Sequence, residues 1–299
     1  LLDANAITVG TTGLYGVNRV GDDGSTTPLN DGPLSGLTTT ANGSIVQRNS
    51  SGILTVASAV SANGAGNVRL AAGTGGNVLV NNSISSGSGN LTVFGQGGVT
   101  QTAVLSTGGA GTIDIQGNSG AVTLGAAVNA GAGNIRVDAA TSAAIAAITT
   151  SGHVSVEAGT SITDNNGAAV NVSAASVRLD AQGGAVGTGA DRLETATANL
   201  AAHGGAGGVF VQNTGDVSTG LLAPVSVNRV GPTGATTGLA DAASLNGLST
   251  AANGAAVLVN AGSVTVARAR VPPNGSGNVL VQATSRAVAL NPPGLTGTG

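Results

Sequence analysis

The sequence predicts an all-β fold: a parallel β-helix, or β-solenoid, of about 19–23 residues per coil. Three observations predict it. The composition supplies only small and branched apolar side chains. Short strands alternating apolar and polar residues recur at a near-constant spacing. A long segment of the chain also appears twice.

Composition comes first. Hydrophobic residues make up 41% of the chain, too many for a solvated disordered chain. Aromatics are 1%, namely Tyr15, Phe94 and Phe210, so the bulky side chains of an ordinary globular core are missing. Gly numbers 51, and Ala, Val, Ser, Thr and Asn dominate the rest. What these residues can build is a thin aliphatic core repeated many times.

The strand period comes next. The runs "NVRL" (67–70), "NLTV" (90–93), "TIDI" (112–115), "NIRV" (134–137), "HVSV" (153–156) and "SVRL" (176–179) start 23, 22, 22, 19 and 23 residues apart. Alternation over four residues, closed by Gly, Asn or Ser, marks a short half-buried strand. Secondary runs fall between them: "NVLV" (77–80), "AVTL" (121–124), "AAIAAI" (143–148) and "SIT" (161–163). Each coil therefore holds two or three strands, each pairing in parallel with its equivalent one coil along. The expected hand is right-handed. About 14 coils at about 4.8 Å would give a rod of roughly 65–70 Å. Val68, Leu70, Leu91, Val93, Ile113, Ile115, Ile135 and Val137 are the expected inward ladders.

The corners follow. "GN" precedes strands at 66–67, 76–77, 89–90, 133–134 and 277–278. Gly and Asn accept the positive φ expected of tight corners, and stacked Asn side chains can form amide ladders. Pro is rare in the middle and clusters at Pro28, Pro33, Pro224, Pro232, Pro272, Pro273, Pro292 and Pro293, where longer loops are expected. "ADRLETATANLAAH" (190–203) carries some helical spacing, but another coil with "LET" and "ANL" as strands is the better reading.

The long repeat sets the organisation. "VNRVG" occurs at 17–21 and 227–231. Extended, "VNRVGDDGSTTPLNDGPLSGLTTTANGS" parallels "VNRVGPTGATTGLADAASLNGLSTAANGA", "SGILTVASA" (51–59) parallels "AGSVTVARA" (261–269), and "GAGNVRL" parallels "GSGNVLV". Residues 1–88 and 211–299 read as two copies of one region of a tandem repeat of about 210 residues, with 89–210 as intervening coils of one continuous solenoid.

A resemblance enters here. Ser226–Gly231, Gly159–Ala181 and Asp191–Val217, within phrases such as "GTSITDNNGAAVNVSAASVRLDA" and "DRLETATANLAA", resemble the repeats of giant bacterial β-strand-repeat exoproteins, loosely akin to filamentous-haemagglutinin-like and other large adhesins. The resemblance covers essentially the whole chain. It implies secretion, a long rod of parallel coils, and a role in extracellular structure or adhesion. It carries over no catalytic residue.

A search for chemistry yields little. Parallel β-helix enzymes acting on polysaccharides need clustered acids or bases, whereas the 13 acidic residues here are scattered. No catalytic residue and no cofactor is expected. Asp22 and Asp23 form the calcium candidate, though "DDG" is a turn signal first and an ion site second. The second copy has Pro232 and Thr233 there, and Asp31 corresponds to Asp241 or Ala242 depending on gap placement. Asp114, Asp138 and Asp180 read as outward solubilising charges, Arg19 and Arg229 as outward charges on a strand, and His153 and His203 as exposed or edge residues. "GGAGTID" (108–114) is one residue out of register with calcium-binding nonapeptides. A net charge of −3 with dispersed Arg gives no nucleic-acid footprint. No apolar run approaches a membrane helix. With no Cys, disulfides and thiolate metal sites are excluded. The opening "LLDANAITVG" does not read as a signal peptide, and the chain reads as a window on something longer.

The expected function is a non-enzymatic structural segment of a secreted or cell-surface repetitive protein, forming an extracellular fibre, sheath or stalk. The alternative is an adhesin presenting loops or a tip, and a polysaccharide-active enzyme is a remote third. Expected partners are neighbouring repeats, by end-to-end or lateral association, with surface glycans or other cells beyond them. Neither nucleic acid nor membrane insertion is expected.

Overall fold

The structure, a computed structural model, describes residues 1–267 and 276–290. Pro272, Pro273, Pro292 and Pro293 lie outside the described residues. The fold is an all-β parallel solenoid of about 11 turns. Thirty strands form one continuous ladder system, and three further pairs are antiparallel. The turn count falls below 14 because two coils are interrupted by long excursions. Leu2 pairs with Arg48 and Val209 with Ala256, offsets about double a normal coil.

A typical coil has three walls. The long wall stacks Ile45–Asn49, Val68–Ala72, Leu91–Gly95, Ile113–Gly117, Ile135–Ala139 and His153–Ala158. The second stacks three-residue strands such as Val78–Val80, Val99–Gln101 and Val122–Leu124, and the third stacks Ile84–Ser86, Leu105–Thr107 and Val128–Ala130. Alternation puts Val68, Leu70, Leu91, Val93, Ile113, Ile115, Ile135 and Val137 inside, all essentially fully buried. The segment 190–203 is strand from Leu193 onward: Leu193–Gly204 runs through two walls without a helix.

The "GN" corners differ from expectation in their cause. Positive φ falls on Gly64 and Gly75 in these turns, whereas the "GN" glycines Gly66, Gly76, Gly89 and Gly133 do not adopt it. A Cβ on any of them would overlap the carbonyl oxygen of the corner glycine one coil below. Close stacking of backbones, rather than backbone handedness, demands glycine there. The neighbouring Asn residues do form a ladder. Asn67 Oδ1 accepts from Asn90 N at 2.8 Å and Asn90 Nδ2 at 3.0 Å, and Asn90 Oδ1 accepts from Thr112 N at 3.0 Å and Thr112 Oγ1 at 2.9 Å. Left-handed non-glycine backbone is concentrated in one repeated turn, Ala41–Asn42 and Ala252–Asn253. In both turns the Asn side chain accepts a backbone N–H of the next coil, from Ala65 at 2.8 Å and from Ser276 at 2.7 Å.

Pairing register repeats along the chain. Ile45↔Val68 recurs as Ala256↔Val279, and Leu54↔Val78 recurs as Val264↔Val288. Between these regions the walls exchange places. Asn199 and Leu200 pair with Ser218 and Thr219, whereas Ala202–Gly204 pair with Leu248–Thr250, so the long wall splits. Second-wall Ala185–Val186 and third-wall Leu193–Thr195 both pair onto Gly208–Asn213, which pairs with Ala256–Asn260. The long wall therefore changes sides between the first and second copy.

Both excursions are β-hairpins. The first pairs Tyr15–Val20 with Thr26–Asp31, and the second pairs Ser226–Val230 with Thr236–Ala240. The first leaves the solenoid between a second-wall strand, Ile7–Val9, and a third-wall strand, Leu37–Thr38. The second leaves between the two halves of the split long wall.

Candidate functional site

The most elaborate arrangement of polar side chains is the outer surface of the long wall. One register position of the long wall turns outward, giving the column Arg69, Thr92, Asp114, Arg136, Ser155 and Arg178. An outward position on a solenoid is normally solvated, yet Thr92, Asp114, Arg136, Ser155 and Arg178 are all buried. The cover is the second hairpin, which folds back along the solenoid axis towards the N-terminus.

Its contacts run in order from base to tip. Arg178 Nη1 donates to Ala243 O at 2.8 Å, and Asn134 Nδ2 to Ser226 O at 2.8 Å. Asn228 N donates to Thr112 Oγ1 at 2.8 Å, and Val230 N to Thr92 Oγ1 at 2.9 Å. Arg69 Nη1 donates to Val230 O at 2.5 Å, and Asn67 Nδ2 reaches Gly234 O in the tip at 3.0 Å. Wall threonines and asparagines thus satisfy backbone groups of the hairpin that would otherwise lose water on docking.

Charges lock the centre. Arg229 Nε lies 2.7 Å from Asp114 Oδ2, and its Nη2 donates to Gln116 Oε1 at 2.6 Å. Arg136 lies 3.5 Å from Asp114, 2.9 Å from Asp138 and 3.3 Å from Asp241. Asp241 also meets Arg178 at 3.0 Å and accepts Val225 N at 2.8 Å. Burial acts to lower the Arg136 pKa, but Asp138, Asp114 and Asp241 outweigh it and hold the guanidinium above its ordinary value. Burial raises the carboxyls of Glu157, with Asp138 adding repulsion, and of Asp180, against the pull of His203 and Arg178. Beneath these charges Val225, Val227 and Val230 are packed against the wall. Full burial of such side chains stabilises by about 1.5–3 kcal/mol each.

Several expectations are corrected by this geometry. Asp114 is not a solubilising charge: it is fully buried under Arg229 and Arg136. Asp138 and Asp180 are partly buried, and Asp138 is paired with Arg136. Arg229 is a docking charge rather than a free outward one. The residues after Val230 are a hairpin tip seated on the wall, not a loose loop. The register also settles the gap. Arg19↔Thr27 matches Arg229↔Thr237, which places Asp31 opposite Tyr15 as Asp241 lies opposite Val225.

Asp22 and Asp23 sit in the exposed tip of the first hairpin. Asp23 Oδ1 accepts Ser25 N at 2.9 Å and Ser25 Oγ at 2.6 Å, and these bonds lower its pKa. That is turn chemistry. Among the described residues no group of three His, Cys, Asp or Glu side chains is placed to hold a metal ion. His153 is exposed and His203 is half-buried with Nδ1 3.0 Å from Ser249 Oγ, so the two are not brought together. No helix among the described residues is long and apolar enough to cross a membrane.

The wall and hairpin form an interface, built from pairs that lie between 63 and 167 residues apart in sequence. No protein-family model, curated protein or solved structure matches the chain.

Proposed function

We propose that the chain is a structural segment of a long secreted or cell-surface repetitive protein, in which solenoid units stack into an extracellular fibre, sheath or stalk. The observation that carries this reading is the continuous parallel ladder, braced lengthwise by a hairpin whose polar groups are spent on the solenoid itself. A ladder of this kind extends by adding equivalent coils, and its edge strands are templates for further pairing. Among the described residues, Val279–Ala283 pairs on one side only. The resemblance to exoprotein repeats points the same way.

Electron microscopy of the native assembly tests the reading. Filaments with an internal spacing of about 4.8 Å along the axis support it. Isolated globules, or a monodisperse monomer by light scattering at high concentration, contradict it.

Adhesion is the second reading, favoured by the protruding first hairpin with its Asp22–Asp23 tip. Replacing that tip while the rod stays intact would abolish surface attachment if this reading holds.

A further inference from the structure

The two hairpins are equivalent in sequence and register but not in surroundings. Arg19 matches Arg229, Asp31 matches Asp241, Val17 matches Val227 and Val20 matches Val230. In the second hairpin these residues supply the charge pairs and the buried apolar side chains of the docking contact. In the first they touch nothing: Val17 and Val20 are 64% and 65% exposed, against 2% and 0% for Val227 and Val230. Leu14 and Leu29 are exposed beside them. Exposed apolar side chains on a strand that carries an intact set of docking charges make a surface without its partner.

We propose that the first hairpin is a clasp for the long wall of another unit of the same repeat, placed in line before it, and that each unit is locked to the preceding one in this way. This rests on the reading that units are strung in line, and the docking itself is testable without it. Two observations select that occupant. The second hairpin is seated on such a wall and runs back from it towards the N-terminus. The first hairpin leaves the solenoid on the side opposite the long wall of its own unit, so that wall is out of its reach. The expected match is side chain for side chain: Arg19 onto an aspartate in the place of Asp114, and Asp31 onto arginines in the places of Arg136 and Arg178.

One difference between the hairpins fits the same site. Tyr15 stands where the second hairpin has Val225. Beside Val225 a cleft of about 270 Å³ remains, lined by Asn134, His153, Ser176 and Arg178. It is placed to receive a ring larger than valine. The tips differ ("GDDGS" against "GPTGA"), whereas Val17, Asn18, Arg19, Val20 and Asp31 match Val227, Asn228, Arg229, Val230 and Asp241.

The chain holds a single tyrosine and no tryptophan, so Tyr15 is its own probe. In the first variant the 17 residues 225–241 are replaced by the sequence of 15–31, with the original Tyr15→Phe. The grafted hairpin then faces the existing wall. Acrylamide quenching of the single tyrosine should fall roughly tenfold relative to the parent chain, following the exposures of 71% for Tyr15 and 6% for Val225. Asp114→Asn in the graft should restore much of the quenching. In a second variant, residues 1–222 are followed by 13–299, placing a complete unit before the first hairpin, again with the outermost Tyr15→Phe. Its inner tyrosine should be shielded to the same degree. Unchanged quenching in a graft with the parent's circular dichroism overturns the proposal. Shielding in the parent chain that grows with concentration alongside dimer formation also overturns it, since the occupant would then be a separate copy. Globules in place of filaments, together with a shielded graft, would remove the fibre reading and leave the docking intact.

Discussion

Two hairpins grow from this solenoid, nearly identical in their docking residues, and one is buried where the other stands in solvent. The difference lies in what each finds beneath it. The second has the column Thr92, Asp114, Arg136 and Arg178 behind it, and the first has behind it only the part-coil of Leu2–Asp3 and Ile7–Val9. Docking is therefore a property of a pair of surfaces, and a hairpin sequence alone does not confer it. The ladder explains how the pair is kept in register. Parallel stacking spaces the wall residues at a fixed interval, so a strand lying along the axis meets one row after another.

Breaking the charge lock is the most severe way to probe this contrast. Arg136→Ala leaves Asp114 and Asp241 short of a buried partner, and loss of one member of a buried pair costs about 3–5 kcal/mol. Denaturant unfolding together with hydrogen exchange of residues 226–240 will read it. Arg48→Ala, on a long-wall side chain that makes no hydrogen bond or ion pair with the hairpin among the described residues, should change stability by less than about 0.5 kcal/mol.

Truncating the apolar contact is milder and sharper. Val230→Ala should lower the opening free energy of the second hairpin by about 1–2 kcal/mol. Val20→Ala, its equivalent, should change stability by no more than about 0.5 kcal/mol. Comparable losses at both positions would mean that the first hairpin is packed after all.

The smallest expected effect is on pH dependence. Burial raises the pKa of Glu157 and Asp180 in the folded chain. The folded state then binds more protons than the unfolded state as pH falls through the raised values, so these groups oppose folding at neutral pH and the opposition fades towards acid. Glu157→Gln should therefore raise Tm slightly at neutral pH and reduce the gain on acidification. A Tm difference from the parent that is independent of pH would contradict this.

The solenoid was legible in the sequence because its signal is local. "NVRL", "NLTV" and "TIDI" each state a strand, and their spacing states the coil. The Asn67–Asn90–Thr112 ladder follows from the same arithmetic. The interface was not legible, because its partners are far apart: Arg229 and Asp114 are separated by 115 residues. Nothing near Asp114 distinguishes a buried outward aspartate from a solvated one. A signal was present nonetheless. Arg69, Asp114, Arg136 and Arg178 fall on one column once the coils are aligned, and Arg229 and Asp241 offer the complementary charges. Treating the hairpins as tolerant loops hid that complementarity. The two excursions also take up residues that a uniform coil length assigns to further turns, which is why the solenoid has about 11 turns and not 14.

The contrast between the hairpins can be read in one sample by hydrogen exchange of the unmodified chain, comparing 15–31 with 226–240. The account predicts that the second hairpin exchanges at least about 100-fold more slowly, a difference of roughly 2.7 kcal/mol in opening free energy. Equal protection of the two would contradict it, because docking on the long wall would then contribute nothing that the hairpin does not already possess.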